Sequence, residues 1–223
     1  MQLPGHRFHD PAPQIAPEVL AGFREAAVAV ISDNFNRLHG TRNLRPVHGS
    51  KRLLGTAVTV KTRPGDNYVL HQSYDVLRPG DVLVVDGAGD LNQALVGEIM
   101  MQRAKLQGVA GFVIDGAVRD VGAFVSAEYP CFARGVTHRG PYKFGPGELN
   151  VPIAVDGMVV MPGDLIVGDD DGVIAFTPAV ADELLSRVRA QEEREAGALK
   201  AIAEGRFDST YVGVPSLPGR ERR

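Results

Sequence analysis

This chain of 223 residues contains one cysteine, no tryptophan and no surplus of basic residues. The single Cys131 excludes an internal disulfide and a zinc site built from several thiolates. The formal net charge of −3 at pH 7 gives no electrostatic signal for nucleic-acid binding. No apolar run approaches the ~20 residues that cross a bilayer, and no apolar segment typical of a signal peptide follows the N-terminus. We therefore expect a cytoplasmic protein that binds neither nucleic acid nor membranes.

The apolar content is sufficient for a folded core, since hydrophobic residues make up 44% of the chain. A chain of this length is most simply one domain with appendages. We predict an N-terminal arm over residues 1–16, an α/β domain over 17–177, and a C-terminal helix and tail over 178–223 that form an interface. The part of the tail after Asp208 is expected to be irregular.

The spacing of apolar residues predicts alternating strands and helices. Strands are expected over 56–61, 82–85 and 110–114, and helices over 18–31, 68–74, 91–107 and 178–205. Asp90 is the expected N-cap of the third helix, and Gly108 is its C-terminal glycine. Strand, helix and strand between residues 82 and 114 form a βαβ unit, which predicts a parallel pair of strands. With short β segments over 141–176, this order predicts a layered α/β domain.

An arginine and an aspartate, Arg119 and Asp120, follow one another shortly after the predicted strand 110–114. An aspartate oxygen suits a hard divalent cation. An arginine presents a fixed fork of donors to a carboxylate or enolate oxygen. For an isolated Arg-Asp pair, an ion pair in a surface turn is the commoner explanation, so the surrounding residues must decide.

The segment Gly97-Glu98-Ile99-Met100 allows two interpretations. In the first, it is the interior of the predicted helix with Glu98 in solvent, but a glycine there costs about 1 kcal/mol relative to alanine. In the second, a ligand approaches the backbone closely at Gly97, where a side chain would be in the way. The second interpretation accounts for the glycine and is preferred.

Other patterns argue against alternative chemistries. The acidic run 169–171 fails the spacing of a calcium loop, because Val167 and Pro178 would occupy ligand positions. The run Gly87-Ala88-Gly89 lacks the third glycine of a dinucleotide-binding loop. No lysine lies in a clearly apolar stretch that would lower its pKa, which disfavours Schiff-base catalysis. Asp115 fits either a turn-capping role or a place in the site.

Two stretches of the chain, 86–100 and 108–120, together resemble the core of one protein family. The glycine-and-acid pattern that ends in Arg119-Asp120 is similar to that of the 4-hydroxy-4-methyl-2-oxoglutarate and 4-carboxy-4-hydroxy-2-oxoadipate aldolases, which are grouped with the regulator of ribonuclease activity A. The similarity extends over roughly residues 18–205. It implies a swivelling β/β/α layered domain with a C-terminal helical extension, assembled as a homotrimer or homohexamer with shared active sites.

The resemblance also implies a role for each candidate residue. Asp120 would hold Mg²⁺ or Mn²⁺, Arg119 would face the oxygen of a pyruvate enolate, and Glu98 would order a metal-bound water. The substrate carboxylate would be bound by Arg119 and by backbone N–H groups of Gly97, Glu98, Ile99 and Met100. Glu195, or less well Glu193, would reach a neighbouring subunit's site from a C-terminal helix that is too polar to be a core element of its own subunit.

The function implied is that of a class II pyruvate aldolase, a carbon–carbon lyase. It would cleave a 4-hydroxy-2-oxo di- or tricarboxylic acid to pyruvate and a second oxo acid through a metal-stabilised enolate, with oxaloacetate decarboxylation as a side activity. One alternative is a non-catalytic regulator that binds a ribonuclease, and another is different oxo-acid chemistry on the same scaffold. The long charged segment 178–205 favours an enzyme, because the related regulators lack it.

Overall fold

The fold is described by a computed structural model of residues 3–49, 51–206, 211 and 213. The strands are β1 Arg45–Pro46, β2 Leu53–Thr62, β3 Asp81–Val96, β4 Gly111–Val118, β5 Cys131–Val136, β6 Gly147–Leu149, β7 Ile153–Val155, β8 Met158–Val160, β9 Leu165–Asp169 and β10 Gly172–Phe176. The helices are α1 Pro17–Gly22, α2 Val28–Asn34, α3 Tyr68–Ser73, α4 Glu98–Leu106, α5 Val121–Ala127 and α6 Ala181–Ala203, and a short 3-10 helix, Pro178–Val180, precedes α6. None of the helices in the described ranges is long and apolar enough to cross a membrane.

The central element is a mixed sheet in the order β1-β5-β4-β3-β2-β9-β10, with β6 paired to β2. Strands β2, β3, β4 and β5 run parallel to one another, whereas β1, β9 and β10 are antiparallel to their neighbours. The parallel pairing of β3 with β4 confirms that part of the predicted βαβ unit. Because these two strands are parallel, their carboxyl ends lie side by side.

Both faces of the sheet are covered, and successive strand residues point to opposite faces. On one face, Leu83 and Val85 pack with the apolar residues of α3, α4 and α5. On the other face, Val82 and Val84 pack against the β7–β8 hairpin. A third cluster joins α1, α2 and α6 to β9 and β10. This arrangement of hairpin, sheet and helices, with a C-terminal helix added, confirms the predicted fold class.

The predicted helix that starts at Asp90 is wrong in its first half, because this part of the chain continues β3. Positive φ angles at Ala88 and Gly89 (55° and 68°) turn the chain so that Ala94 rejoins the ladder with β4. The Asp90 carboxylate accepts the backbone N–H of Asn92 at 3.2 Å, which is a local turn contact and not a helix cap.

Two further predictions about helices need correction. The apolar face predicted for the helix 91–107 included Ile99 and Leu106. These two side chains are 82% and 89% exposed, so they do not belong to the core. The helix predicted over 18–31 is two helices, α1 and α2, because Phe23 and Ala26 leave the helical path and enter the core between them.

The long helix α6 is partly a core element of its own subunit, contrary to expectation. Its residues Ala181, Leu184 and Val188 are buried in the cluster with α1 and α2. The rest of the helix is mostly exposed, so its narrow apolar stripe packs against helices of the same chain. The irregular conformation predicted after Asp208 falls mainly outside the described residues.

The N-terminal arm is hydrogen-bonded to the edge of β6. Leu149 donates its N–H to the Arg7 carbonyl at 3.0 Å, and the His9 N–H donates to the Leu149 carbonyl at 3.1 Å. The Arg7 guanidinium donates to both oxygens of the buried Glu148 carboxylate at 2.5 and 2.9 Å. This contact lowers the pKa of Glu148 to about 2.

Candidate functional site

The carboxyl ends of β3 and β4 form an irregular edge of the sheet. The strands pair regularly as far as Asp86 and Asp115, and the register then shifts three times before Val96 pairs with Val118. The chain of β3 bulges outward over this distance and returns to β4 directly before Gly97. In open α/β sheets, ligands bind beyond the carboxyl ends of the strands.

Three of the predicted residues, Gly97, Arg119 and Asp120, are in direct contact at this edge. The Arg119 Nε lies 3.5 Å from Oδ2 of Asp120. A Cβ at Gly97 would lie 2.5 Å from that same Oδ2 and 2.9 Å from Cγ of Arg119. The Gly97 backbone is extended (φ −154°), a conformation open to any residue, so glycine is needed here for space. The groups that approach it are these two side chains, where the sequence analysis expected a ligand.

Asp120 has a left-handed backbone conformation, with φ 58° and ψ 37°, between β4 and α5. Its Oδ2 accepts the Glu98 N–H at 2.9 Å, which places the carboxylate at the first turn of α4. N–H groups in a first turn have no carbonyl partner within their helix, and the helix dipole favours an anion there. The helix α4 begins at Glu98, directly after Gly97, and the binding role of its N–H groups stays a prediction.

A cleft of about 130 Å³ opens beside these residues. Its lining includes Gly97, Ile99, Met100 and Arg119. Glu98 is exposed next to this lining, and the Asp120 side chain is 42% exposed. The structure therefore brings together every predicted site residue except Glu195.

The wall of the cleft also contains Asn67, His71 and Lys143, which were not predicted from the sequence. Asn67 directly precedes α3, His71 lies on α3, and Lys143 lies on the loop between β5 and β6. The available signal was the position of Asn67 after a Pro-Gly-Asp turn inside the region of resemblance. With Lys143 and Arg119 both in its lining, the cleft presents two cations to a small ligand.

The Asn67 side chain is 3% exposed. Its Nδ2 donates to the Leu95 carbonyl at 2.9 Å, but its Oδ1 has no partner within the described part of the chain. A buried amide oxygen without a hydrogen bond costs free energy. A ligand hydroxyl or a water molecule in the cleft would relieve this cost.

The imidazole of His71 is neutral at neutral pH. Burial lowers its pKa, and the positive charges of Lys143 and Arg103 lower it further. A neutral imidazole has one donor and one acceptor nitrogen. His71 can therefore contribute to the polar wall without adding a third charge.

Asp115, in β4, lies in a buried ion-pair network. Its Oδ1 accepts the Arg134 Nε at 2.6 Å, and its Oδ2 accepts the Asp156 N–H at 2.7 Å. Arg134 also pairs with the Asp156 carboxylate at 3.0 Å. Asp115 thus joins β4 to β5 and to the β7–β8 hairpin. This structural role is neither the turn cap nor the place in the site that the sequence allowed.

Within one chain, Glu195 is not in contact with Gly97, Arg119 or Asp120. It accepts a hydrogen bond from Gln191 at 2.8 Å, and Gln191 in turn bonds Asn34 and Asp33 of α2. The helix α6 packs on α1 and α2 beside β9 and β10. The role of Glu195, or of the exposed Glu193, requires a neighbouring subunit and stays a prediction.

The donor set around the cleft fits one kind of metal ion. The ranges that the structure describes hold no group of three or more His, Cys, Asp or Glu side chains placed for a metal. Asp120 offers a half-exposed carboxylate, one oxygen of which already accepts the Glu98 N–H. Mg²⁺ typically keeps several waters and takes one or two carboxylates, so these residues fit a cation held largely by water.

Comparisons with known proteins agree with this fold. A family model described as RraA-like, Aldolase/RraA, matches residues 28–175. A protein of Halalkalibacterium halodurans, provisionally named 4-hydroxy-4-methyl-2-oxoglutarate aldolase, is 35% identical over 188 residues, which cover 84% of this chain and 90% of that protein.

Two solved structures are similar over most of their length. An uncharacterized protein from Pseudomonas syringae pv. tomato has a TM-score of 0.80 and 30% identity, covering 92% of this chain and 95% of its own. The RNA-processing inhibitor RraA from Thermus thermophilis has a TM-score of 0.63 and 31% identity, covering 69% of this chain and 93% of its own. The match to the family model and the identity to the aldolase-named relative show that this chain belongs to the RraA-like (Aldolase/RraA) family.

Proposed function

We propose that this protein is a divalent-metal-dependent aldolase that cleaves a 4-hydroxy-2-oxo di- or tricarboxylic acid to pyruvate and a second oxo acid. The observation that carries the proposal is the contact of Gly97, Arg119 and Asp120 at the start of α4. The provisional aldolase name of the Halalkalibacterium relative supports it. We further propose Mg²⁺ or Mn²⁺ as the cofactor, oxaloacetate decarboxylation as a side activity and a cytoplasmic location.

Asp120 would hold the cation, with water completing the coordination shell. When bound, the cation supplies a Lewis acid that polarises the 2-keto oxygen of the substrate. Glu98 is the next acid along the edge, and its exposed carboxylate would take up or deliver a proton through an ordered water.

Arg119 would stabilise the oxygen that becomes negatively charged when the C3–C4 bond breaks. Its guanidinium is oriented by the Asp120 carboxylate before substrate binds, with Nε 3.5 Å from Oδ2. A donor that is already oriented need not reorganise as the charge develops.

Two groups of lining residues would divide the substrate between them. The N–H groups of the first turn of α4, including those of Ile99 and Met100, would bind the carboxylate of the pyruvyl half. Lys143 and the neutral His71 would face the remainder of the molecule. A second carboxylate beside Lys143 is favoured by charge, which supports a di- or tricarboxylic substrate.

We propose a homotrimer or homohexamer in which Glu195 completes the site of a neighbouring subunit. Large apolar side chains stand exposed beside the cleft, with Ile99 and Phe144 each 82% exposed. Exposed apolar groups next to a polar site are typical of a surface that another molecule covers. A second subunit seated there would also exclude water from the cleft.

The alternative function is regulation of a ribonuclease by protein binding. The Thermus inhibitor matches along 93% of its own length but along only 69% of this chain. The unmatched part leaves room for an extension such as α6, which is the feature that the resemblance associates with aldolases. This observation favours the enzyme.

The first test is pyruvate release from several 4-hydroxy-2-oxo acids, measured before and after chelation. We expect chelation to abolish turnover, Mg²⁺ or Mn²⁺ to restore it, and Asp120→Ala to be inactive with either metal. Full activity of Asp120→Ala after exhaustive chelation would contradict metal dependence. Release of no pyruvate from any substrate, together with inhibition of a ribonuclease, would establish the regulator instead.

The second test concerns the shared site. Asp120→Ala and Glu195→Ala should each be inactive alone, and subunit exchange between them should restore part of the activity. Recovery is expected because a closed ring of mixed subunits contains some sites with neither substitution. An active monomer, or no recovery after exchange has been verified by mass spectrometry, would rule out a site built from two subunits.

A further inference from the structure

The sequence Arg-Pro-Gly-Asp occurs twice, at residues 63–66 and 78–81, and Met161-Pro-Gly-Asp164 is a third version. All three are turns of one kind. The third-position glycines have positive φ angles between 73° and 88°, and the aspartate N–H donates to the carbonyl of the first residue at 3.0–3.1 Å. Type II turns require these features. Any difference between the turns therefore lies in the aspartate side chains.

Two of the three aspartates close their own turn. The Asp81 carboxylate accepts the backbone N–H of Arg78 at 2.8 Å, and the Asp164 carboxylate accepts that of Met161 at 2.8 Å. This contact satisfies the free donor of the first turn residue. The side chain thus serves the turn in which it stands.

Asp66 uses its carboxylate differently. Its Oδ1 accepts the Tyr68 N–H at 2.9 Å, and its Oδ2 accepts the N–H groups of Phe144 and Gly145 at 2.8 and 3.1 Å. The first residue of the turn, Arg63, donates its own N–H to the Pro146 carbonyl. The Asp66 side chain is 0% exposed, so these contacts occur away from solvent.

The two segments that Asp66 joins both contribute residues to the lining of the cleft. Tyr68 begins α3, next to Asn67 and one turn before His71, whereas Phe144 directly follows Lys143. One carboxylate therefore bridges the start of α3, which follows Asn67 and carries His71, and the loop that carries Lys143.

We propose that Asp66 is a positioning residue that fixes the Lys143 loop against α3 and so shapes the part of the cleft beyond the pyruvyl half of the substrate. The inference rests on the proposed function for its kinetic consequence only. The same Arg-Pro-Gly-Asp sequence at 78–81, far from the cleft, lacks this consequence because Asp81 bonds Arg78 and Gln14 instead.

The charge state of Asp66 agrees with this role. Burial by itself would raise the pKa of the carboxyl, but the N–H donors of Phe144, Tyr68 and Gly145, with the Arg63 guanidinium, lower it below its usual value. The ionised form has only acceptor oxygens. An asparagine would place an NH₂ group against one set of N–H donors, so it cannot hold both segments at once.

The inference is tested first on the wild-type protein by amide hydrogen exchange. The amides of Tyr68, Phe144 and Gly145 should exchange slowly, because each donates to a buried carboxylate. Exchange of Phe144 and Gly145 at the rate of free amides would overturn the proposal. This measurement needs neither a variant nor an activity.

The second measurement compares Asp66→Asn with Asp81→Asn, which changes an equally buried aspartate in the same local sequence. We expect at least ~10-fold faster exchange at residues 144–145 in Asp66→Asn only, since an opening that costs 1.4 kcal/mol less is tenfold more populated. For the substrate that the wild type cleaves best, KM should rise by about 10-fold with kcat within about threefold, the pattern of lost uniform binding.

The outcomes separate this inference from the proposed function. Equal loop exchange in the two variants, or a loosened loop with unchanged KM, would overturn the role of Asp66. If the wild type cleaves none of the substrates, the proposed function fails, and loop exchange alone decides whether Asp66 fixes the wall. If Asp66→Asn does not fold, exchange in the wild type decides the same question.

Discussion

The two ends of the parallel strands differ in size, regularity and charge. At the amino ends of β3 and β4, a cleft of about 470 Å³ is lined by Gly80, Gly108 and several cations, including Lys51 and Lys105. The pairing at this end is regular, with Gly80 N–H bonded to the Gly108 carbonyl at 2.8 Å. At the carboxyl ends, the cleft is about 130 Å³ and the pairing is irregular.

The smaller cleft carries the features expected of a site for chemistry. It has a buried amide oxygen without a partner at Asn67 within the described residues, a histidine with a lowered pKa at His71, and a left-handed aspartate beside it at Asp120. The larger cleft is a groove between regular elements, and its Lys105 lies in the last turn of α4, where a cation is favoured in any protein. The comparison teaches that the proposed site rests on irregular backbone and polar groups at a strand end, and not on the volume of the cleft.

The largest effect expected from this comparison is at Arg119. Arg119→Lys keeps the positive charge but loses the planar fork of donors. We expect turnover to fall at least ~10²-fold, as for loss of one oxyanion donor. Lys105→Ala removes a cation from the amino-end cleft and should leave turnover unchanged. Steady-state pyruvate release checks both variants. Wild-type turnover in Arg119→Lys would show that Arg119 does not stabilise the reacting oxygen.

Only part of the carboxyl-end site could be predicted from local sequence. Gly97 is a costly residue inside a predicted helix, which drew attention to it, whereas the roles of Arg119 and Asp120 came from the family resemblance. The β/β/α fold followed from the family resemblance, since periodicity indicates only a layered α/β domain.

The remainder depends on contacts between residues distant in sequence. The extension of β3 to Val96 is set by pairing with β4, which overrides the helical spacing of Leu91 and Leu95. The Asp66 carboxylate bonds both Tyr68 and Phe144, and no local pattern indicates the contact with Phe144. The ion pairs of Arg134 likewise join three separate elements.

A smaller effect is expected at Gly97, where a substitution tests the geometry of Arg119 and Asp120 directly. In Gly97→Ala the new Cβ would lie 2.5 Å from Asp120 Oδ2 and 2.9 Å from Arg119 Cγ, so both side chains must move. Both are partly exposed and have room to shift, so unfolding free energy should change by about 1 kcal/mol or less. Activity should fall roughly 10-fold or more, because displacements of about 1 Å at a reacting group can cost 10²-fold.

Gly122→Ala is the matched control for this substitution. Gly122 lies in α5 two residues after Asp120, and a Cβ there meets nothing within 4 Å among the described residues. Alanine in a helix is favoured over glycine by up to about 1 kcal/mol, so this variant should be as stable as the wild type or more stable, with unchanged activity. Thermal unfolding and pyruvate release, measured on both variants, separate the two effects.

Wild-type activity in Gly97→Ala would show that the close contact of Gly97 with Arg119 and Asp120 does not set the reactive geometry. A loss of activity confined to Gly97→Ala would place the reaction at the carboxyl ends of β3 and β4, because the only atom added there is one that displaces this pair.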